Sequence, residues 1–139
     1  MTQPTSPRLA NIVVGVDDSA ESLYALALAA TIGTPQRATL AVVHVRPHPK
    51  AFGFGPAGVI EYAKAEDEVD KMVTADATAR LGDYPGTWTV TIRSGNVGRE
   101  LLAVADHVDA DLIVLGHRSH GTVHDAILGS TAATTVHHS

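Results

Sequence analysis

The chain has 139 residues, enough for one domain, 1–139, that buries about two-thirds of its unfolded surface around a single core. Its formal charge of −5 argues against a broad basic face for nucleic acid or membrane, and the lack of cysteine excludes disulfides, thiolate metal sites and cysteine nucleophiles. The opening MTQPTSPRLA has no apolar signal-peptide core and no run approaches about 18 apolar residues, so the expectation is a cytoplasmic protein with residues 1–8 as a flexible tail.

The first apolar run, Ile12–Val16 (IVVGV), is nearly continuous and β-branched, as strands covered on both faces tend to be. A helical period follows, with Leu23, Leu26, Ala27 and Ala30 at i, i+3, i+4 and i+7 on one stripe. Asp18, with Glu21 three residues on, makes an Asp variant of the capping box, and Gly33-Thr34-Pro35 ends the helix. The second run, Leu40–Val45 (LAVVHV), is again continuous and holds His44 as a core or near-core histidine. Pro and Gly in RPHPKAFGFGPAG, Arg46–Gly58, argue for a loop. A second helix over Val59–Leu81 would turn Val59, Ile60, Ala63, Val69, Met72 and Val73 inward. Trp88–Ile92 alternates, which suits a strand nearer an edge with Trp88, Val90 and Ile92 on one side. Asn96 caps a third helix whose Val97, Leu101, Val104, Ala105 and Val108 face the core. Leu112–Leu115 (LIVL) is the fourth strand, and a last helix is expected to start near Gly129-Ser130-Thr131.

Strands alternating with helices predict an α/β fold: an open parallel sheet with right-handed crossovers and helices on both faces. Ligands bind such sheets outside the carboxyl ends of the strands, where the strand order changes direction. Asp17, Arg46, Gly95-Asn96 and Gly116 follow the four strands and are candidate site residues on that ground.

The stretch after the fourth strand, LGHRSHGTVHDAILGST, suits an anion. Gly116 and Gly121 allow close backbone approach, a helix starting at Gly129-Ser130-Thr131 would offer unpaired N–H groups, and Ser119, Ser130, Thr131 and Arg118 add hydroxyls and charge. The same residues also have a plain structural role, with Gly116 ending a strand and Ser130 capping a helix. Other chemistries fit less well. Asp17-Asp18 is half of a receiver-type acidic site, but the phosphoacceptor Asp and the late Lys are missing after Ile92 and Leu115. His120, His124 and Asp125 do not fix a third convergent ligand, so scattered surface histidines are the simpler account of the eight in the chain. An ATP-activating enzyme would need a Ser/Gly-rich loop after the first strand, where this chain has Asp-Asp-Ser-Ala, and no spacing identifies a triad or an acid–base pair. Catalysis is therefore not expected, beyond slow ATP hydrolysis as a by-product.

Gly116-His117-Arg118-Ser119, nine residues, then Gly129-Ser130 resembles the universal stress protein signature, Gly-x-x-Gly, nine residues, then Gly-Ser or Gly-Thr. NIVVGVDDSAESLYAL resembles that family's first strand and helix, and LAVVHV its second strand; the similarity runs from about Leu9 to Ser139. The resemblance implies an adenine-nucleotide α-hydrolase-like fold with strand order 3-2-1-4-5, usually dimeric, acting as a stress-response or regulatory module that binds ATP, with Mg²⁺ held only through the phosphates. Carried over by position, Gly15, Val16 and Asp17 would lie beside the adenosine, Leu40 and Leu115 would flank the adenine, and Gly116, Ser119, Gly129, Ser130 and Thr131 would surround the phosphates. The homodimer and an unidentified regulatory protein are the implied partners.

Two departures stand out. Ser119 occupies the place of the signature's second Gly; at a left-handed position its Cβ costs roughly 1–2 kcal/mol, about a 5- to 30-fold loss of affinity. Members that do not bind ATP exist in the family, which makes a protein–protein interaction scaffold the alternative function. The chain also ends at Val136-His137-His138-Ser139, where family chains continue into a fifth strand. The expectation is thus a sheet without its fifth strand, an open edge at Leu112–Leu115, and a shortened form of a longer protein.

Overall fold

The computed structural model describes residues 9–17, 19–46 and 55–116 and the backbone of 127–129. Its elements run β1 (Asn11–Val16), α1 (Ala20–Gly33), a 3₁₀ turn (Thr34–Gln36), β2 (Thr39–Arg46), α2 (Gly55–Leu81), β3 (Trp88–Ser94), α3 (Val97–His107), β4 (Leu112–Leu115) and β5 (Ile127–Gly129). The sheet order is β3-β2-β1-β4-β5. The first four strands are parallel, with Ile12 opposite both Leu40 and Leu112, and Gly15 opposite Val43 and Leu115.

This order follows from alternation along each strand. Ile12, Val14, Val16, Leu40, Val42, Leu112 and Val114 face α1 and α2, whereas Val13, Ala41, Val43, Val45 and Ile113 face α3. Both faces are apolar, so the central strands must be covered twice, and a parallel sheet with crossover helices does that. Right-handed crossovers send β1 to β2 to β3 in one direction and then carry the chain back across β1 to β4. The strand order therefore reverses between β1 and β4. β3 lies at an edge, as its alternation predicts: Trp88 and Val90 are partly buried, but Ile92 is exposed.

Several helix faces differ from the sequence expectation. The α1 stripe is Ser22, Ala25, Leu26, Ala29 and Gly33, one position round from Leu23 and Ala27; Leu26 belongs to both stripes, and Ala30 packs partly buried against the same core. The segment LYALALAATI is apolar on every side, so its period does not fix the phase; the small residues face inward because α1 lies close against the sheet. α2 starts at Gly55, inside the expected loop, with Pro56 in its first turn where a missing N–H is harmless. Only its second half packs. Val73, Ala77 and Leu81 are buried and Val69 partly so, whereas Val59, Ile60, Ala63 and Met72 are exposed. In α3, Leu101, Val104 and Ala105 are buried and Val108 packs against them, but Val97 is exposed; Asn96 accepts the Arg99 N–H at 2.9 Å as the predicted cap.

The free edge of β4 is also not as expected. Ile127–Gly129 pairs with it antiparallel, placing Gly129 opposite Ile113 and Ile127 opposite Leu115. A short fifth strand is present and Gly129 belongs to it; the helix expected from Ser130 lies outside the described residues. The physical reason is the one that makes an open edge costly: β4 is a fully apolar run whose N–H and C=O groups require partners.

Candidate functional site

At the reversal between β1 and β4, the carboxyl ends of the strands diverge and leave a cleft of about 420 Å³ on the α3 side of the sheet. Gly15, Val16 and Asp17 come from the end of β1, Val43 and Val45 from β2, Leu115 and Gly116 from β4, and Val97, Gly98 and Leu101 from the start of α3. The volume is that of a small-molecule site, and among the described residues its wall is almost wholly aliphatic with one carboxylate, Asp17. A flat apolar group with a hydrogen-bonding rim suits such a wall. Val97, exposed as a core residue, is explained as a cleft residue.

Asp17 is held firmly. Its Oδ1 accepts the Ser19 N–H at 2.8 Å, the Ser19 hydroxyl, and the Ser22 hydroxyl at 2.9 Å. The carboxylate therefore lies over the N-terminus of α1, where the helix dipole favours negative charge. Ser19 is the N-cap residue by position but makes no side-chain cap bond; Asp18, the expected cap, lies outside the described residues.

Packing accounts for two of the three cleft glycines. A Cβ on Gly116 would stand 2.5 Å from the Glu21 carbonyl oxygen and 2.7 Å from Ala25 Cβ, so the end of β4 can meet α1 only without a side chain. A Cβ on Gly15 would stand 2.8 Å from Leu115 Cδ1 and 3.0 Å from Leu101 Cδ1. Gly15 thus keeps open the space between two leucine tips that form the cleft wall.

Of the residues expected at the site, Gly15, Val16, Asp17, Leu115 and Gly116 meet in this cleft. Leu40 does not. It sits at the start of β2, fully buried in the core under α1 and α2 beside Ile12 and Trp88. The β2 residues that face the cleft are Val43 and Val45, three and five positions on, because β2 presents its odd residues to that side. Arg118, Ser119, Ser130 and Thr131 lie outside the described residues, as do His120, His124 and Asp125, and Gly129 is described only in its backbone. Sequence reasoning missed Val43, Val45, Val97, Gly98 and Leu101 as cleft residues; the rule that ligands lie at carboxyl ends could have selected Val45 and Gly98.

Arg46, the candidate after β2, is committed elsewhere. Its guanidinium pairs with Asp70 and, at 3.0 Å, with Asp67 of α2, and the Asp70 hydrogen bond leads in holding its pKa above the ordinary arginine value. His44, 4% exposed, has Nδ1 3.0 Å from the Val16 carbonyl, as a core histidine should. Among the described residues its Nε2 has no hydrogen-bond partner, and it faces Asp70 Oδ1 at 4.0 Å. Gly95, with φ of 132°, shapes the β3–α3 turn, where Glu100 pairs with Arg93 at 2.8 Å. Among the described residues no group of His, Asp and Glu could hold a metal ion, and no helix is long and apolar enough to cross a membrane.

An open α/β sheet with an apolar cleft at its topological switch point is the architecture of many nucleotide-binding domains. The chain belongs to the universal stress protein family, whose model matches residues 9–139. It is 33% identical over 135 residues to a universal stress protein of Mycolicibacterium smegmatis (strain ATCC 700084 / mc(2)155), covering 91% of this chain and 44% of that protein. The chain therefore spans less than half the length of this curated relative. Among solved structures, a universal stress protein family member from Burkholderia pseudomallei superposes with a TM-score of 0.67 at 23% identity, covering 97% of this chain and 92% of the other. A universal stress protein solved in complex with cAMP gives 0.63 at 24% identity, covering 83% and 81%. These likenesses agree with the observed sheet order.

Proposed function

We propose that the chain is a regulatory stress-response module that binds an adenine nucleotide, ATP foremost, in the cleft between β1 and β4. The observation that carries this reading is the aliphatic cleft of about 420 Å³ at the switch point, with Asp17 held at its rim. Val43, Val45, Leu101 and Leu115 supply the faces against which a purine ring packs. Asp17 supplies an acceptor for a ribose hydroxyl or base N–H, and the segment after Gly116 receives the phosphates, with Mg²⁺ coming along on them. Asp17 keeps the phosphates away from the β1 end by charge repulsion. The solved relative with bound cAMP supports an adenine nucleotide as the ligand class. The reading includes binding and release, with no chemical step beyond slow ATP hydrolysis, in a homodimeric cytoplasmic protein.

One observation favours the scaffold alternative. Gly116 and Gly15 are both accounted for by side-chain and backbone packing, so neither needs a ligand to explain it. The test is the nucleotide content of freshly purified protein, followed by calorimetry with ATP, ADP, AMP and cyclic AMP. Bound adenine nucleotide, or saturable heat with ATP, supports the reading; no heat with any of the four at millimolar ligand establishes the scaffold.

A further inference from the structure

The cleft depends on two strand ends that part company just where a ligand would enter. β1 and β4 remain joined as far as the Gly116 N–H, which donates to the Gly15 carbonyl at 3.1 Å. Beyond that bond the next link is a side chain. Ser22 lies in the first turn of α1 and is 2% exposed. Its Oγ accepts the Asp17 N–H at 2.6 Å, and its single proton has two acceptors in reach, Asp17 Oδ1 at 2.9 Å and the Gly116 carbonyl at 3.0 Å. One buried hydroxyl therefore touches the backbone of the β1 end, the backbone of the β4 end and the Asp17 carboxylate that lines the cleft.

A hydroxyl has one donor and two lone pairs, so Ser22 can satisfy Asp17 Oδ1 or Gly116 O at any moment, not both. We propose that Ser22 is a positioning residue of the nucleotide site: it clamps the ends of β1 and β4 together and orients the Asp17 carboxylate toward the ligand, resting on the nucleotide reading above. A ligand hydroxyl that donates to Asp17 relieves the demand on the Ser22 proton. That proton then turns to the Gly116 carbonyl and tightens the β4 end of the cleft. Ribose recognition at one side of the cleft thereby firms the other side, through one proton and no displacement of chain.

Ser22→Ala removes this link while leaving a good helix residue in α1. Affinity is read by calorimetry with ATP and with 2′,3′-dideoxy-ATP, which lacks the ribose hydroxyls, and amide exchange is read at Asp17 and Gly116. The expected result is about a tenfold loss for ATP, about twofold or less for the dideoxy analogue, and Asp17 exchange faster by about tenfold or more. Equal losses for both nucleotides would reduce Ser22 to a general structural role and overturn the proposal. Unchanged Asp17 exchange would overturn the clamp directly. Should wild-type protein bind neither nucleotide, the nucleotide reading fails; the exchange rates still show whether Ser22 holds the strand ends, and slow exchange in Ser22→Ala would then refute it.

Discussion

Gly116→Ala is the sharpest test of how α1 meets the sheet. The added methyl would lie 2.5 Å from the Glu21 carbonyl oxygen, 2.9 Å from the Glu21 carbonyl carbon and 2.7 Å from Ala25 Cβ. None of these is the far end of a flexible side chain. The carbonyl belongs to the first turn of α1, and Ala25 is fully buried on the face that packs against β1 and β4. Relief requires α1 to lift or β4 to bend, in a core that is otherwise close-packed. Overpacking of this kind costs about 1–3 kcal/mol. With a urea m-value of about 2 kcal/mol/M, the unfolding midpoint should fall by about 0.5–1.5 M without a change of slope. Gly98→Ala is the opposing control. Its Cβ would meet nothing nearer than Asn96 Oδ1 at 3.6 Å, inside a helix where Ala is preferred over Gly, so its midpoint should rise by about 0.3–0.5 M. An unchanged midpoint in Gly116→Ala, or a fall in Gly98→Ala equal to it, would refute the packing account of Gly116.

Gly15→Ala should be milder than Gly116→Ala in the same denaturation, because its nearest neighbours are the tips of Leu115 and Leu101; the displaced tips narrow the cleft, so ATP affinity by calorimetry should fall more than stability does. Asp70→Asn should destabilise by about 1–2 kcal/mol, since Asp70 is the leading partner of Arg46, whereas exposed Asp67→Asn should cost about 0.5 kcal/mol or less and only at low salt. Tyr84 donates to the Ala38 carbonyl at 2.5 Å, and burial raises its pKa above the ordinary tyrosine value. Its contribution is thus complete below about pH 10 and is lost as pH rises through the folded value, so alkaline denaturation should be shallower in Tyr84→Phe than in wild type.

The strands were legible because buried parallel strands carry their signal in short β-branched runs, and β1, β2, β3 and β4 fall within two residues of where the runs place them. The cap at Asn96 was legible for a local reason, a side chain bonding a backbone N–H three residues on. Phase was harder. α1 is apolar on all sides, so only its packing partner chooses Ser22, Ala25 and Ala29 over Leu23 and Ala27. The exposed first half of α2 defied the expectation because Val59 and Ile60 belong to a helix that extends beyond the sheet-packed turns at Val73, Ala77 and Leu81. β5 was missed because three residues, Ile127–Gly129, give too short a run to read as a strand. At the site, Asp17 and Gly116 were legible from the carboxyl-end rule. Val43 and Val45 were not, since Leu40 looks equally apolar and only the face of β2 on which each residue lies separates them.

The central claim, that an adenine nucleotide occupies the cleft between β1 and β4, is tested most directly by titrating ATP into isotope-labelled, nucleotide-free protein and following backbone amide resonances. The account predicts saturable shifts concentrated at Gly15, Val16, Asp17, Val97, Gly98, Leu115 and Gly116, with little change at Leu40 or along the exposed half of α2. Shifts centred elsewhere, or none at millimolar ATP, would contradict it.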